Sequence, residues 1–227
     1  MAWRDSLLDA WALLMPVECA GCGSADRAVC SECRRALVPE PVSRTTGTGL
    51  EVVTALRYEG VVRRVILSLK EQGRTDAARA LSPALAAAVG LAMSPGDIEV
   101  TTIPSSRGAY RRRGYDPVAL LLRGAGVRPV PVLKSARATV HQKTLSAAER
   151  AANLRGAFTA RDPLAGRRFL LVDDVLTTGA TLEEGHRAVV EAGGTVLGAV
   201  TLAFTPRWLP FRDIPMNEDY GWAKGAQ

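Results

Sequence analysis

The densest chemistry in the chain lies in thirteen consecutive residues, FLLVDDVLTTGAT, from Phe169 to Thr181. Four apolar residues read as a buried parallel strand, with Asp173 and Asp174 at its carboxyl end. The small-residue turn of Thr177, Thr178, Gly179 and Ala180 then opens a helix at Thr181. A helix start presents unpaired amides and a positive dipole end, which suits a phosphate. Gly179 lets backbone approach closely, and Thr177, Thr178 and Thr181 add hydroxyl donors. A carboxylate accepts two hydrogen bonds from a vicinal diol, so this order of groups points to a ribose 5-phosphate. The competing reading is an ordinary strand-turn-helix connection with Asp and Thr as caps.

All four cysteines form a second constellation: Cys19, Cys22, Cys30 and Cys33, two CxxC pairs with seven residues between them. Thiolates paired this way close a tetrahedral zinc site, and Gly21 and Gly23 suit a backbone that must curl round a metal. Four sulfur ligands leave no open position, so such a zinc is structural. Free thiols or a redox pair are the alternatives.

The third feature is charge. The chain carries a net charge of +6, and Arg107, Arg111, Arg112 and Arg113 fall within seven residues. An anionic partner fits this excess, as does a solvated basic loop. Other chemistries lack material. There is no GxxxxGK[ST], no GxGxxG opening a helix after the first strand and no GxSxG; His141 and His186 are the only histidines. His141 reads as a solvated loop residue and His186 as a helix-surface residue.

The elements that must hold these groups follow from length and periodicity. At 227 residues, 47% of them hydrophobic and 23% charged, the chain has room for one α/β domain with a small appendage. Its longest apolar runs, Leu7 to Val17 and Leu81 to Met93, are too short to span a bilayer. With no secretory pattern either, the chain reads as cytoplasmic, without a membrane span. Residues 3–14 read as an amphipathic helix carrying Trp3 and Trp11, leading into the cysteine module, so that 1–37 form an N-terminal unit. Residues 38–50 (VPEPVSRTTGTGL) read as a linker, 51–205 as the main domain and 206–227 as a loosely ordered tail. Within the domain the pattern predicts strands at 51–57, 98–103, 129–133, 156–160, 168–173 and 195–204. Helices fall at 60–71, 76–91, 115–124 and 181–192. Alternating strands and helices imply a mostly parallel sheet covered on both faces, binding ligands at its carboxyl edge.

The stretch Phe169–Thr181 resembles the signature of type I phosphoribosyltransferases, which bind phosphoribosyl pyrophosphate (PRPP). The resemblance implies that Asp173 and Asp174 contact the ribose hydroxyls and that Thr177 to Thr181 hold the 5-phosphate. Thr177 stands where the 6-oxopurine salvage branch usually carries an aspartate, which argues against hypoxanthine or guanine as substrate. Three more segments narrow the likeness: YEGVVRRVILSLKEQG (58–73), IPSSRGAYRRRGYDP (103–117) and RATVHQKTLSAAERAANLRGAF (137–158). They resemble the ComF family, competence-associated proteins that join a cysteine knuckle to a phosphoribosyltransferase domain. The third segment matches the family pattern at Arg137, Thr139, Gln142, Leu145, Arg150, Asn153, Gly156, Ala157 and Phe158. Two departures stand out. Residues 40–50 lack the second cysteine group of many members, and Asp116 and Pro117 replace two amides of the family's R-G-F-N-Q stretch.

By this resemblance Ser105 and Ser106 lie in the pyrophosphate loop, where Arg111 and Arg113 pair with phosphate oxygens. Residues 135–150 correspond to the hood that closes over substrate, delivering Arg137 and Arg150 to the reaction. The implied activity is transfer of a phosphoribosyl group from PRPP, with its Mg²⁺, to an acceptor the sequence does not name. It is linked by family to competence and DNA uptake. A second reading is a non-catalytic accessory that senses PRPP or binds single-stranded DNA or competence proteins.

Overall fold

The computed structural model describes residues 17–25, 27–93, 96–136, 154–206 and 213–214. The expected helix at 3–14, with Trp3 and Trp11, lies outside these residues, as do His141 and the segment carrying Arg137, Thr139, Gln142, Leu145, Arg150 and Asn153. The elements in chain order are α1 (Ser31–Arg35), β1 (Val42–Thr45), β2 (Glu51–Arg57), α2 (Gly60–Glu71), a 3₁₀ turn (Thr75–Ala77) and α3 (Ala78–Ala92). There follow β3 (Glu99–Thr102), α4 (Arg107–Arg113), α5 (Pro117–Gly124), β4 (Leu133–Ser135), β5 (Phe158–Ala160), β6 (Arg168–Leu176), α6 (Ala180–Glu191), β7 (Thr195–Phe204) and β8 (Asp213–Ile214).

Six strands form one sheet in the order β3-β6-β7-β2-β1-β8. β3, β6, β7 and β2 are parallel, while β1 and β8 add antiparallel at one edge. The expected parallel α/β sheet is therefore present, with an antiparallel margin. Along β6 the side chains alternate between two cores. Leu170 and Val172 pack with α2, α3 and α5, whereas Phe169 and Leu171 pack with α6 and the β4–β5 hairpin. Each of these fully buried side chains contributes about 1.5–3 kcal/mol of burial free energy. That two-sided anchoring fixes the strand that carries the carboxylates.

Four sequence expectations are corrected. The segment 38–50 is not a free linker, because it contains β1, paired Val42↔Thr54 with β2, and buries Thr46 and Leu50. The tail 206–227 contributes β8, which pairs Ser43↔Ile214 with β1. The strand expected at 129–133 is displaced to β4. Pro129 and Pro131 lack the N–H groups a ladder needs, and Val130 N donates one bond to Val100 O at 2.8 Å. The arginine-rich loop contains the helix α4, which has no buried residue and so leaves no apolar period to detect.

The cysteine module docks on the main domain. Cys19, Val29, Cys33 and Leu37 share a hydrophobic cluster with Val62, Val65 and Ile66 of α2, and Arg64 Nε donates to Gly21 O.

Candidate functional site

β6 ends at Leu176, and the chain turns through Thr177 and Thr178 into Gly179, which caps α6 in the left-handed region at φ 82°. Only glycine adopts that conformation without a steric cost, and it releases the helix at once. Thr178 Oγ1 accepts from Ala180 N at 3.4 Å, and Glu183 N finds the first helical acceptor, Gly179 O, at 2.9 Å. Gly179 itself has no side chain with which to cap α6, so apart from the Ala180 amide taken by Thr178 the first-turn amides face the turn, as helix geometry requires. α6 also seats close to the end of β3. A Cβ on Gly185 would stand 2.4 Å from Ile103 Cδ1, so the glycine permits the approach.

Asp173 and Asp174 lie in the last turns of β6 and, by alternation, point to opposite faces. Asp174 Oδ2 pairs with Lys70 Nζ from the last turn of α2 at 2.8 Å, with both side chains mostly buried. Burial works against the charge on Lys70, but the carboxylates of Asp174 and Asp173 outweigh it and hold the ammonium above its ordinary value. Asp173 is treated differently. It accepts from Asp174 N at 2.8 Å, yet burial, followed by the like charge of Asp174, pushes its carboxyl up to about 8. Two adjacent carboxylates in unlike environments are characteristic of a site prepared for a ligand. Lys70 carries no role in the sequence reading beyond its place in LKEQG. Its partner lies 104 residues away (174 − 70), so only the fold reveals the pair.

The loop after β3 comes beside this strand end, with Ile103 N donating to Val172 O at 3.0 Å. Ser106 Oγ caps α4 by accepting from Ala109 N at 3.3 Å, which leaves its proton free to donate. Ser105 Oγ reaches Asp116 Oδ2 at 3.5 Å. The departure Asp116–Pro117 has a local cause. Asp116 Oδ1 caps α5 by accepting from Ala119 N at 3.0 Å, and Pro117 occupies the first helical position, where a missing N–H costs nothing.

The arginine group does not act as one patch. Arg113, with Arg112, lines a cleft of about 460 Å³ shared with Lys70 and Gly73, on the Asp174 side. Arg111 lines a different cleft with Arg107. Among the described residues Arg111 and Arg113 thus line different clefts, because two residues along a helix stand about 200° apart around its axis. Arg137 and Arg150 lie outside the described residues.

Cys19, Cys22, Cys30 and Cys33 bring four Sγ atoms within 4.8 Å of one another. Cys30 N donates to Cys19 Sγ at 3.3 Å, Gly21 N to the same sulfur at 3.4 Å and Cys33 N to Cys30 Sγ at 3.4 Å. Against the opposing effect of burial, such amides draw the Cys19 thiol down to about 6, whereas burial pushes Cys33 up. An all-sulfur tetrad with amides aimed at its sulfurs fits a structural zinc ion, and His186 is not part of it.

The chain is similar to several known proteins. The family model of the phosphoribosyl transferase domain matches residues 118–215. DNA utilization protein YhgH of Escherichia coli O6:H1 is 30% identical over 155 residues, 64% of this chain and 68% of that protein. Adenine phosphoribosyltransferase of Mycolicibacterium gilvum is 34% identical over 129 residues, 54% of this chain and 69% of that protein. The solved adenine phosphoribosyltransferase of Leishmania tarentolae aligns at a TM-score of 0.38 and 13% identity, over 67% of this chain and 91% of that one.

Proposed function

Because the chain belongs to the ComF family of proteins built on a phosphoribosyltransferase domain, we propose that it binds PRPP at the carboxyl end of β6 and transfers the phosphoribosyl group to an acceptor. The observation that carries this reading is the succession of a two-sided buried strand, Asp173 and Asp174, and a left-handed Gly179 opening α6. The turn 177–181 takes the 5-phosphate on backbone amides and threonine hydroxyls. Asp173 and Asp174 accept from the ribose hydroxyls, with Lys70 holding Asp174 in place. Ser105, Ser106 and Arg113 flank the pyrophosphate. By the resemblance, Arg137 and Arg150 join them on closure.

The acceptor's lone pair forms the bond to C1 as the C1–O bond breaks and its electron pair leaves with pyrophosphate. Positioning and electrostatic stabilisation of the leaving group supply the rate. Mg²⁺ bound with PRPP would neutralise part of the pyrophosphate charge, and Cys19, Cys22, Cys30 and Cys33 would hold a structural zinc ion.

The DNA utilization for which YhgH is named favours a second reading, in which PRPP or single-stranded DNA is bound without turnover. Incubation with PRPP, Mg²⁺ and a set of amines and nucleobases, following pyrophosphate, separates the two. Acceptor-dependent release supports the transferase. PRPP binding without release from any acceptor supports the accessory protein.

A further inference from the structure

The second cleft of α4, about 810 Å³, lies between α4, α5 and the β4–β5 hairpin. Its size is that of a small-molecule site. Five cations line it: Arg107, Arg111, Arg123, Lys134 and Arg161. Each of these residues is exposed, and none takes part in an ion pair among the described residues. The facing carboxylate among the described lining residues is Asp116, and it is already engaged in capping α5. Like charges gathered on one concave wall repel each other, an arrangement that costs stability unless an anion occupies it.

The wall is not only charged. Tyr110, 51% exposed, presents an aromatic face, and Pro129 and Pro131 present rigid apolar surfaces opposite helix α5. A planar ring stacks on such surfaces while a guanidinium takes a carboxylate in bidentate fashion. The cleft also adjoins the carboxylate pair. Thr102 and Ser105 form part of its lining, and Thr102 is the register partner of Val172, the residue before Asp173. Adjacent strands are about 4.8 Å apart, so a ring in this cleft lies within one small molecule of a ribose held at the end of β6.

We infer that this cleft receives the acceptor, and that the acceptor is a planar nitrogen heterocycle bearing an acidic group rather than a neutral base. The inference rests on the transferase reading above and names its substrate class. In the transfer a ring nitrogen's lone pair forms the bond to C1 of PRPP, and the C1–O bond breaks with its electron pair leaving on pyrophosphate. Where the attacking nitrogen carries a proton, as in orotate, that proton passes to water; a pyridine nitrogen, as in nicotinate, has none to lose and becomes a pyridinium.

The test uses the full zinc-loaded chain and matched probes, orotate against uracil and nicotinate against nicotinamide. Binding is followed by ligand-observed NMR without PRPP, and pyrophosphate release is followed with it. At least one acid is expected to bind ten or more times tighter than its neutral partner. The double change Arg111→Gln with Arg123→Gln should weaken that binding at least tenfold, as loss of charge-assisted hydrogen bonds requires. Arg79→Gln, exposed on α3 and absent from the lining of either cleft of α4, should leave it unchanged. Equal binding of the neutral partners, no acid binding at millimolar concentration, or no effect of the double change overturns the inference. So does a thymidine oligomer that binds through the same two arginines where the acids do not, since the cleft is then a track for a phosphate backbone. PRPP titrated alone keeps the two readings apart. Acid binding without PRPP binding removes the transferase, and PRPP binding without acid binding removes only the acceptor class.

Discussion

Replacing Asp173 by Asn should reverse part of the protein's pH dependence of stability. In the folded protein Asp173 holds its proton up to about 8, because burial and the neighbouring charge of Asp174 disfavour the carboxylate, while an ordinary Asp carboxyl titrates at 3.8. Asp116 adds a further negative charge, and Lys70, already paired with Asp174, offsets only part of the total. Between these two values the folded state binds more protons than the unfolded one, so stability falls as pH rises. A full proton is worth about 1.4 kcal/mol per pH unit, which sets a ceiling of roughly 4 kcal/mol from pH 5 to pH 8. Asp173 is half-buried at a strand end, where solvent screening reduces this, and about 2 kcal/mol is the expected loss. Asparagine is neutral and nearly isosteric with the protonated acid. The two proteins should converge below the unfolded carboxyl value of 3.8, and the variant's advantage should grow by about 2 kcal/mol between pH 5 and pH 8. Urea unfolding at several pH values, with the difference between the two proteins plotted against pH, reads this directly. A difference that stays flat from pH 5 to 8 would refute the reasoning, because Asp173 would then titrate in the folded protein as it does in the unfolded chain.

Removing zinc should destabilise more than the cysteine module, since Cys19 and Cys33 share a core cluster with α2 and α3; chelation is expected to lower the melting temperature of the whole domain, checked by calorimetry beside elemental analysis for one zinc per chain. Gly21→Ala should weaken zinc retention, because its Cβ would stand 2.6 Å from Cys33 Sγ, a ligand that cannot move without distorting the tetrad; competition with a chelator dye measures it. Arg187→Ala should cost about 2–3 kcal/mol in urea unfolding, because it leaves the 5% exposed carboxylate of Glu184 without the partner held at 2.7 Å.

The parts of the fold legible in the sequence are those where burial writes a period. β2 and α2 fall at 51–57 and 60–71 as expected, and β7 at 195–204, because each alternates or repeats apolar residues against a core. β1 escaped because its four residues are all only half-buried and sit in a Pro-, Thr- and Gly-rich context that reads as a loop. α4 escaped for the opposite reason, having nothing buried to mark its face. At the site, Asp173, Asp174 and Gly179 were legible because their chemistry is local to one strand-turn-helix. The Lys70–Asp174 pair and the division of Arg111 from Arg113 were not, since both depend on which elements lie side by side. The docking of the cysteine module on α2 belongs to the same class.

The central claim is that PRPP binds at the end of β6, and calorimetric titration of PRPP with Mg²⁺ into the parent and into the Asp173→Ala, Asp174→Ala double variant tests it most directly. The charge-assisted hydrogen bond lost with Asp174 alone is worth roughly 1.5–3 kcal/mol, so the parent should bind and the variant should bind at least tenfold more weakly while remaining folded by circular dichroism. A parent that gives no heat with PRPP, or a folded variant that binds it as tightly as the parent, would contradict the account.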